Sequence, residues 1–251
     1  METAEHASRW RRRKAARPAE ILAAALDCFA ERGFAATRLD DVAHRAGVTK
    51  GTLYLYFSNK EELFKAVVNQ AVLPNIERAE ARIAARDAPA ALLLEELMIG
   101  WSQLAFEPAS AIPKIIVAEA GNFPELARFY REEIVGRVMA VFHRVLRLGI
   151  ERREFREADI YNTALCIVAP LLLTVLWRHS LSRDDPSLFD PEAICRAHLR
   201  LLLQGLTAPV APVCEATDLP PGSGAERNIR PDPVAIIGHG GTAALRETAE
   251  P

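Results

Sequence analysis

Cysteine, histidine and aromatic side chains are scarce in this chain of 251 residues, which has four cysteines, six histidines and 7 % Phe, Trp and Tyr together. The cysteines, at positions 28, 166, 195 and 214, form no CxxC pair and no zinc-type spacing with histidine, so neither a metal site nor a disulfide framework is expected. Cys28, Cys166 and Cys195 fall within apolar helical patterns and read as small buried hydrophobes. No nucleophile elbow of the form GxSxG, no phosphate-binding glycine loop and no paired nucleophile and base are present; Gly-His-Gly-Gly at residues 238–241 stands without such an elbow. No catalytic residue and no cofactor is therefore assigned, and the chain does not read as an enzyme.

A bilayer-length apolar run is also missing. The most apolar stretch, residues 164–177, is fourteen long and bracketed by polar residues, against the roughly twenty needed to cross a membrane. It reads as a helix buried on nearly all sides, with Pro170 expected to kink it or divide it. The N-terminus is charged throughout and has no secretory apolar segment, so a reduced, cytoplasmic protein is expected. Period-two alternation is lacking as well, so the body should be all α.

One dense pattern stands out, TRLDDVAHRAGVTKGTLYLYFSNK at residues 37–60. Thr37 with Asp40 three residues on has the form of a capping box, predicting a helix from about Arg38 with Val42, Ala43 and Ala46 on its apolar face. Gly47 suits a left-handed stop, Val48 plugs the turn, and Thr49 can cap a second helix that buries Leu53 and Phe57. That arrangement turns Lys50, Thr52, Tyr54 and Tyr56 outward. Ser58 with Glu61 reads as another capping box, placing Lys60 on the first turn of the next helix near the same surface. Two short helices around a tight glycine turn form a helix-turn-helix, whose second helix enters the DNA major groove. Lysine neutralises phosphate, and Thr and Tyr hydroxyls donate to phosphate oxygens or reach base edges. An ordinary αα-hairpin with half-buried tyrosines is the plainer alternative. Asp41 has no evident role beyond a solvated flank.

Residues 17–68 resemble the DNA-binding domain of the TetR family of transcriptional regulators. The resemblance rests on Ile21, Ala25, Phe29, Gly33, Phe34, Thr37, Val42-Ala43, Ala46-Gly47-Val48, Gly51, Leu53-Tyr54, Tyr56-Phe57, Lys60 and Leu63 at fixed spacing. It implies DNA contacts from Thr37, Arg38, Thr49, Lys50, Gly51, Thr52, Tyr54, Tyr56 and Lys60, with Gly51 letting the backbone approach the duplex. Residues 112–134 resemble the effector domain of the AefR-like branch, which implies a body shape but no particular effector.

Charge follows the same division. Residues 1–60 carry eleven Lys or Arg against seven Asp or Glu, and the remainder twenty against twenty-six. Arg9, Arg11, Arg12, Arg13, Lys14 and Arg17 form a basic arm that could follow phosphates or serve only as a solvated tail. Helices are predicted over about 60–86, 89–106, 110–121, 124–152, 158–181 and 190–206. From residue 207, seven prolines and five glycines predict a disordered tail. The expected organisation is a flexible arm at 1–16, a helix-turn-helix domain at 17–62, a helical effector and dimerisation domain at 63–206, and the tail at 207–251.

One short recognition helix reads too little sequence alone, so a homodimer on a palindromic double-stranded operator is expected. Leu172, Leu173, Leu176, Leu199 and Leu202 are the expected interface, which the family resemblance places in an intersubunit four-helix bundle. Met98, Trp101, Phe106, Phe123, Phe129, Tyr130, Met139, Phe142 and His143 could line a pocket for a small apolar effector, with plain core packing as the alternative. The chain thus reads as a ligand-responsive, sequence-specific repressor. An activator or architectural factor without ligand is the alternative, and from another class a helical enzyme or protein-interaction scaffold.

Overall fold

Helix follows helix through a computed structural model that describes residues 2–85, 87–182, 185 and 190–207, with the backbone alone for residues 2–17. No strand occurs among the described residues. The predicted tail, with Cys214 and residues 238–241, lies outside them.

The head comprises α1 (Glu2–Ala36), α2 (Leu39–Arg45), α3 (Lys50–Tyr54) and α4 (Lys60–Ala71). Backbone helix begins at Glu2, so residues 2–16 continue the helical path of α1, in keeping with the helix-forming Ala, Arg, Glu and Lys there. Gly33, at φ +81°, breaks the helical path before Phe34. Phe29, Phe34 and Phe64 then pack together with ring centroids 5.1 to 5.7 Å apart. Each is fully buried, contributing about 1.5–3 kcal/mol by removal from water. Leu53 and Phe57 are buried as predicted, and Gly47 takes the left-handed conformation at φ +63°. Asp41 gains a role, pairing with Arg32 at 2.7 Å, while Arg45 grips Glu31 through both nitrogens. These partly exposed pairs fix the angle of α2 on α1 more than they stabilise it.

Two expected DNA contacts instead hold this head together. Thr37 is buried; its hydroxyl donates to the Gly33 carbonyl at 2.7 Å and lies 3.1 Å from that of Cys28. It does not cap α2, whose N-cap is Arg38 without a side-chain hydrogen bond. Lys60 donates to the carbonyls of Phe34, Ala35 and Thr37 at 2.8, 3.0 and 3.1 Å, and its ammonium sits 4.6 Å from the Phe34 ring centre. All three of its hydrogens are thereby used. Burial lowers the Lys60 pKa, offset by Glu61 and Glu119. The second capping box is one residue off its predicted register: Asn59 caps α4 by accepting from Glu62 N–H at 2.7 Å, and Glu62 reaches back to Ser58 N–H at 2.8 Å.

The predicted helix over 60–86 is two helices, α4 and α5 (Leu73–Ala85), separated at Val72; Pro74 in the first turn of α5 cannot donate to a preceding turn. The body continues with α6 (Ala90–Leu104), a 3₁₀ turn (Pro108–Ala111), α7 (Ile112–Glu119), α8 (Pro124–Tyr130), a π turn (Arg131–Val135), α9 (Gly136–Glu151), α10 (Ile160–Ser180) and α11 (Pro191–Thr207). α10 runs unbroken through Pro170, and His198 on α11 places its Nε2 3.2 Å from the Ile167 carbonyl in the preceding turn. α10 is long and apolar enough for a membrane span by composition, yet Ala164, Ile167, Leu171, Thr174 and Val175 are buried against the bundle. Cys28 and Cys195 are buried as predicted, whereas Cys166 faces outward on α10. Arg137 on α9 binds Glu80 on α5 at 2.6 and 3.1 Å. Beyond α9 the chain reverses at Arg153, φ +57°, and Phe155 folds back over Gly149. A Cβ on Gly149 would meet that ring at 2.2 Å.

Lys60→Met is expected to lower unfolding free energy by roughly 1.5–3 kcal/mol in denaturant titration, because a charged donor to three carbonyls is lost. The salt dependence of DNA binding should stay unchanged; a shallower salt slope at unaltered stability would return Lys60 to the DNA surface. Gly149→Ala should destabilise by about 1–3 kcal/mol through overpacking against Phe155. An unchanged melting temperature would refute that packing argument.

Candidate nucleic-acid interface

With Thr37 and Lys60 committed inward, the outer surface of the head is built by the start of α2 and by α3. Arg38 is exposed at the N-terminus of α2. Thr49 caps α3 as predicted, accepting from Thr52 N–H at 3.2 Å, and the two hydroxyls lie 2.9 Å apart. Lys50 and Gly51 are exposed, Thr52 is half-buried, and Tyr54 is exposed. Tyr56 packs its ring partly against the core near Phe57 at 6.5 Å. α3 ends sooner than predicted, at Tyr54, with Tyr56 and Phe57 N–H both donating to Leu53 O at 3.0 Å.

Lys50 pairs with Asp40 at 2.8 Å, which raises the lysine pKa and keeps it charged. Both partners are well exposed, so the pair is weak enough for a phosphate to displace Asp40. This gives Asp40 a different part from the predicted cap: it orients Lys50 beside the start of α3.

Gly51 gives the clearest sign of an external partner. A Cβ there would meet only Thr49 Oγ1, at 3.9 Å, and the backbone has an ordinary helical conformation. Nothing among the described residues requires glycine at this second position of α3, and glycine loses more conformational freedom on folding than any other residue. One residue escaped the sequence reading. Leu55, at the C-cap of α3, is 84 % exposed and lies four residues from Gly51 on the same side. Its apolar type in a polar surface was the available signal, and an exposed leucine there can contact a thymine methyl.

The residues expected to form an effector pocket separate into two groups and two residues that stand apart. Met98 and Trp101 on α6 and Met139, Phe142 and His143 on α9 lie on helices that pack together. Met98, Met139 and Phe142 are buried, and Trp101 Nε1 donates to Leu171 O at 3.2 Å. Phe129 lies under Lys65 at 5.6 Å, beside Tyr130, whose phenol pKa is raised by burial. Phe106 and Phe123 do not join them. Phe106 is 57 % exposed against Arg178, and Phe123 meets Phe34 edge-on at 4.8 Å between head and body. There the Ala35 N–H also donates to Glu119 at the end of α7, at 2.9 Å. No group of three or more metal-binding side chains gathers among the described residues.

Of the expected interface leucines, Leu173 is exposed and Leu172, Leu176 and Leu202 are half-buried. Leu199 is buried within its own subunit, where α11 packs on α6, and is not available to a partner. The outward side of α10 instead carries Leu165, Leu173 and Trp177, with Leu181 beyond its end.

Known proteins share this architecture. Residues 21–67 match the family described as bacterial regulatory proteins, tetR family. The chain is 30 % identical over 145 residues to the HTH-type transcriptional regulator YfiR of Bacillus subtilis, covering 57 % of this chain and 70 % of that one. It is 26 % identical over 198 residues to the HTH-type transcriptional repressor KstR2 of Rhodococcus jostii, covering 78 % and 94 %. The crystal structure of the transcriptional regulator FadR from Bacillus subtilis, in complex with stearoyl-CoA, superposes with a TM-score of 0.60 at 26 % identity, covering 74 % of this chain and 98 % of FadR. A glycine-turn helix pair with an outward polar face, joined to an all-α body of the same shape, makes this chain a member of the tetR family of bacterial regulatory proteins, a DNA-binding regulator of transcription.

Proposed function

We propose that the protein is a dimeric, ligand-responsive repressor that lays two copies of α3 into successive major grooves of a palindromic operator. The observation carrying this reading is Gly51, a bare helical position with no reason among the described residues to be bare, set among Lys50, Thr52, Tyr54 and Leu55. Lys50 and Thr52, at the helix start, are placed to reach base edges; Tyr54, Tyr56, Thr49 and Arg38 hold phosphates. The body supplies the second copy, because the apolar outward side of α10 calls for cover. Repression is the action named for the KstR2 relative, and FadR binds stearoyl-CoA, so the effector here is taken as a small molecule with a large apolar part. Such a molecule releases DNA only through its differential affinity for two arrangements of the dimer. The Ala35–Glu119 and Phe34–Phe123 contacts are the route from body to head.

A gel shift on the DNA upstream of the gene, titrated with salt, tests the reading. Protection of a palindrome is expected, whereas purely non-specific, steeply salt-dependent binding would favour an architectural factor. Gly51→Ala should leave the fold as stable or slightly more stable while weakening operator binding at least tenfold. Tyr54→Phe should weaken binding to all sequences, and Lys50→Ala or Thr52→Ala should also relax base preference. Unchanged operator affinity in all four would remove the assigned surface. For the dimer, Leu173→Glu should yield monomer in sedimentation at micromolar concentration; monomeric wild-type protein would contradict the pairing.

A further inference from the structure

The outer surface of the head carries one charge of the wrong sign for its partner. Arg38 and Lys50 are its exposed cations at the start of α2 and of α3, and Asp40 lies between them in sequence, 59 % exposed. A DNA duplex presents one negative charge per about 1.7 Å of its axis, so a carboxylate set against it is repelled. Capping does not account for Asp40, since the N-cap of α2 is Arg38 without a side-chain hydrogen bond. Asp41 already opposes the dipole in the same turn and pairs with Arg32 at 2.7 Å. Asp40 reaches the other way, across the turn to α3.

There the Lys50 Nζ stands 2.8 Å from one Asp40 oxygen and 3.0 Å from the other. An ammonium has three hydrogens, so this carboxylate engages at most two and leaves one to donate outward. Lys60, by contrast, spends all three on carbonyls of the head. A lysine stem is flexible, and an unheld ammonium takes whichever phosphate is nearest. Held by Asp40, Lys50 offers its remaining donor from one place, beside the bare Gly51 and the Thr49–Thr52 hydroxyl pair. Guanine O6 and N7 are the base-edge acceptors that lysine reads in a major groove. On DNA without such a base, Lys50 gains a phosphate only by leaving Asp40, which then faces the backbone unpaired.

We propose that Asp40 is a specificity-determining residue: it positions Lys50 for a guanine edge, and its charge penalises binding to the phosphate backbone alone. Asp40 touches no base itself and acts through Lys50. The proposal rests on the reading above that Lys50 meets base edges, and adds to it the residue that keeps this lysine from serving as a general phosphate clamp.

The test uses the full chain, the duplex protected upstream of the gene, a scrambled duplex of equal length, and selection from a library randomised over the half-site. Asp40→Asn should tighten binding to the scrambled duplex about fivefold. Its salt slope there should steepen by about 2, roughly 0.9 for the phosphate gained by each freed Lys50 of the dimer. The ratio of operator to scrambled affinity should fall about tenfold, with base preference relaxed at the same base pair that Lys50→Ala relaxes. Asp40→Asn combined with Lys50→Ala should relax that pair no further than Lys50→Ala alone, because the two side chains act as one. Asp40→Glu, which keeps the charge, should keep the wild-type salt slope. Melting temperatures should stay near wild type, since the pair is exposed. An affinity ratio within twofold of wild type in Asp40→Asn, or relaxation at a base pair that Lys50→Ala leaves fixed, would overturn the part given to Asp40 while leaving Lys50 as a reader. Intact base preference in Lys50→Ala would strike the placement of Lys50 and the proposal with it.

Discussion

The ammonium of Lys60, set against the carbonyls of Phe34, Ala35 and Thr37, is the contact on which the rest of the head depends. Gly33 interrupts α1 and leaves carbonyls at its end without helical partners. A cation there satisfies them and opposes the negative end of the helix dipole. Because Lys60 is also the first residue of α4, one side chain ties the end of α1, the entry to α2 and the start of α4 to one point. α3 bridges α2 and α4, so its direction follows from that point. Thr37 adds a second tie from the same turn to Gly33 and Cys28, and the phenylalanine cluster closes the space beneath.

The same turn is one place where body meets head. Ala35 accepts Lys60 with its carbonyl and gives its N–H to Glu119, while Phe34 packs against both Phe64 of the head and Phe123 of the body. A movement of α7 or of the segment after it must therefore act on the turn that sets α3. The break at Val72 divides the connection: α4 is a unit of twelve residues, and α5 is held separately to α9 through Arg137 and Glu80.

Local chemistry was legible in the sequence, and long-range chemistry was not. Gly47, Thr49, Leu53 and Phe57 took their predicted parts because a left-handed stop, a cap and a buried face are decided within a few residues. Thr37 and Lys60 look like surface residues in sequence, since the carbonyls that claim them come from up to 26 residues away. Asp41 found Arg32 for the same reason. Other misses were local. Pro74 went unread between two helical runs, and the cap at Asn59 lay one residue from the predicted Ser58. Phase decided the leucines: Leu199 is buried and Leu201, two residues on, is 68 % exposed, a distinction that a run of apolar residues does not carry.

What remains after internal contacts are counted is the part of the molecule that points to partners. Gly51 has room it does not use, Leu173 and Trp177 expose apolar surface on a helix whose other side is buried, and His143 buries a nitrogen that has no hydrogen-bond partner among the described residues. Each choice is unfavourable for an isolated subunit, by lost helix propensity, hydrated apolar area and an unpaired polar atom respectively. They differ in chemistry in the way that a nucleic-acid backbone, a second apolar helix and a polar small molecule differ. They also lie in different places: the recognition helix, the outward side of α10 and the flank of α9. A protein that must bind DNA, pair with itself and respond to a ligand needs three such surfaces, and separating them lets each be satisfied without disturbing the other two.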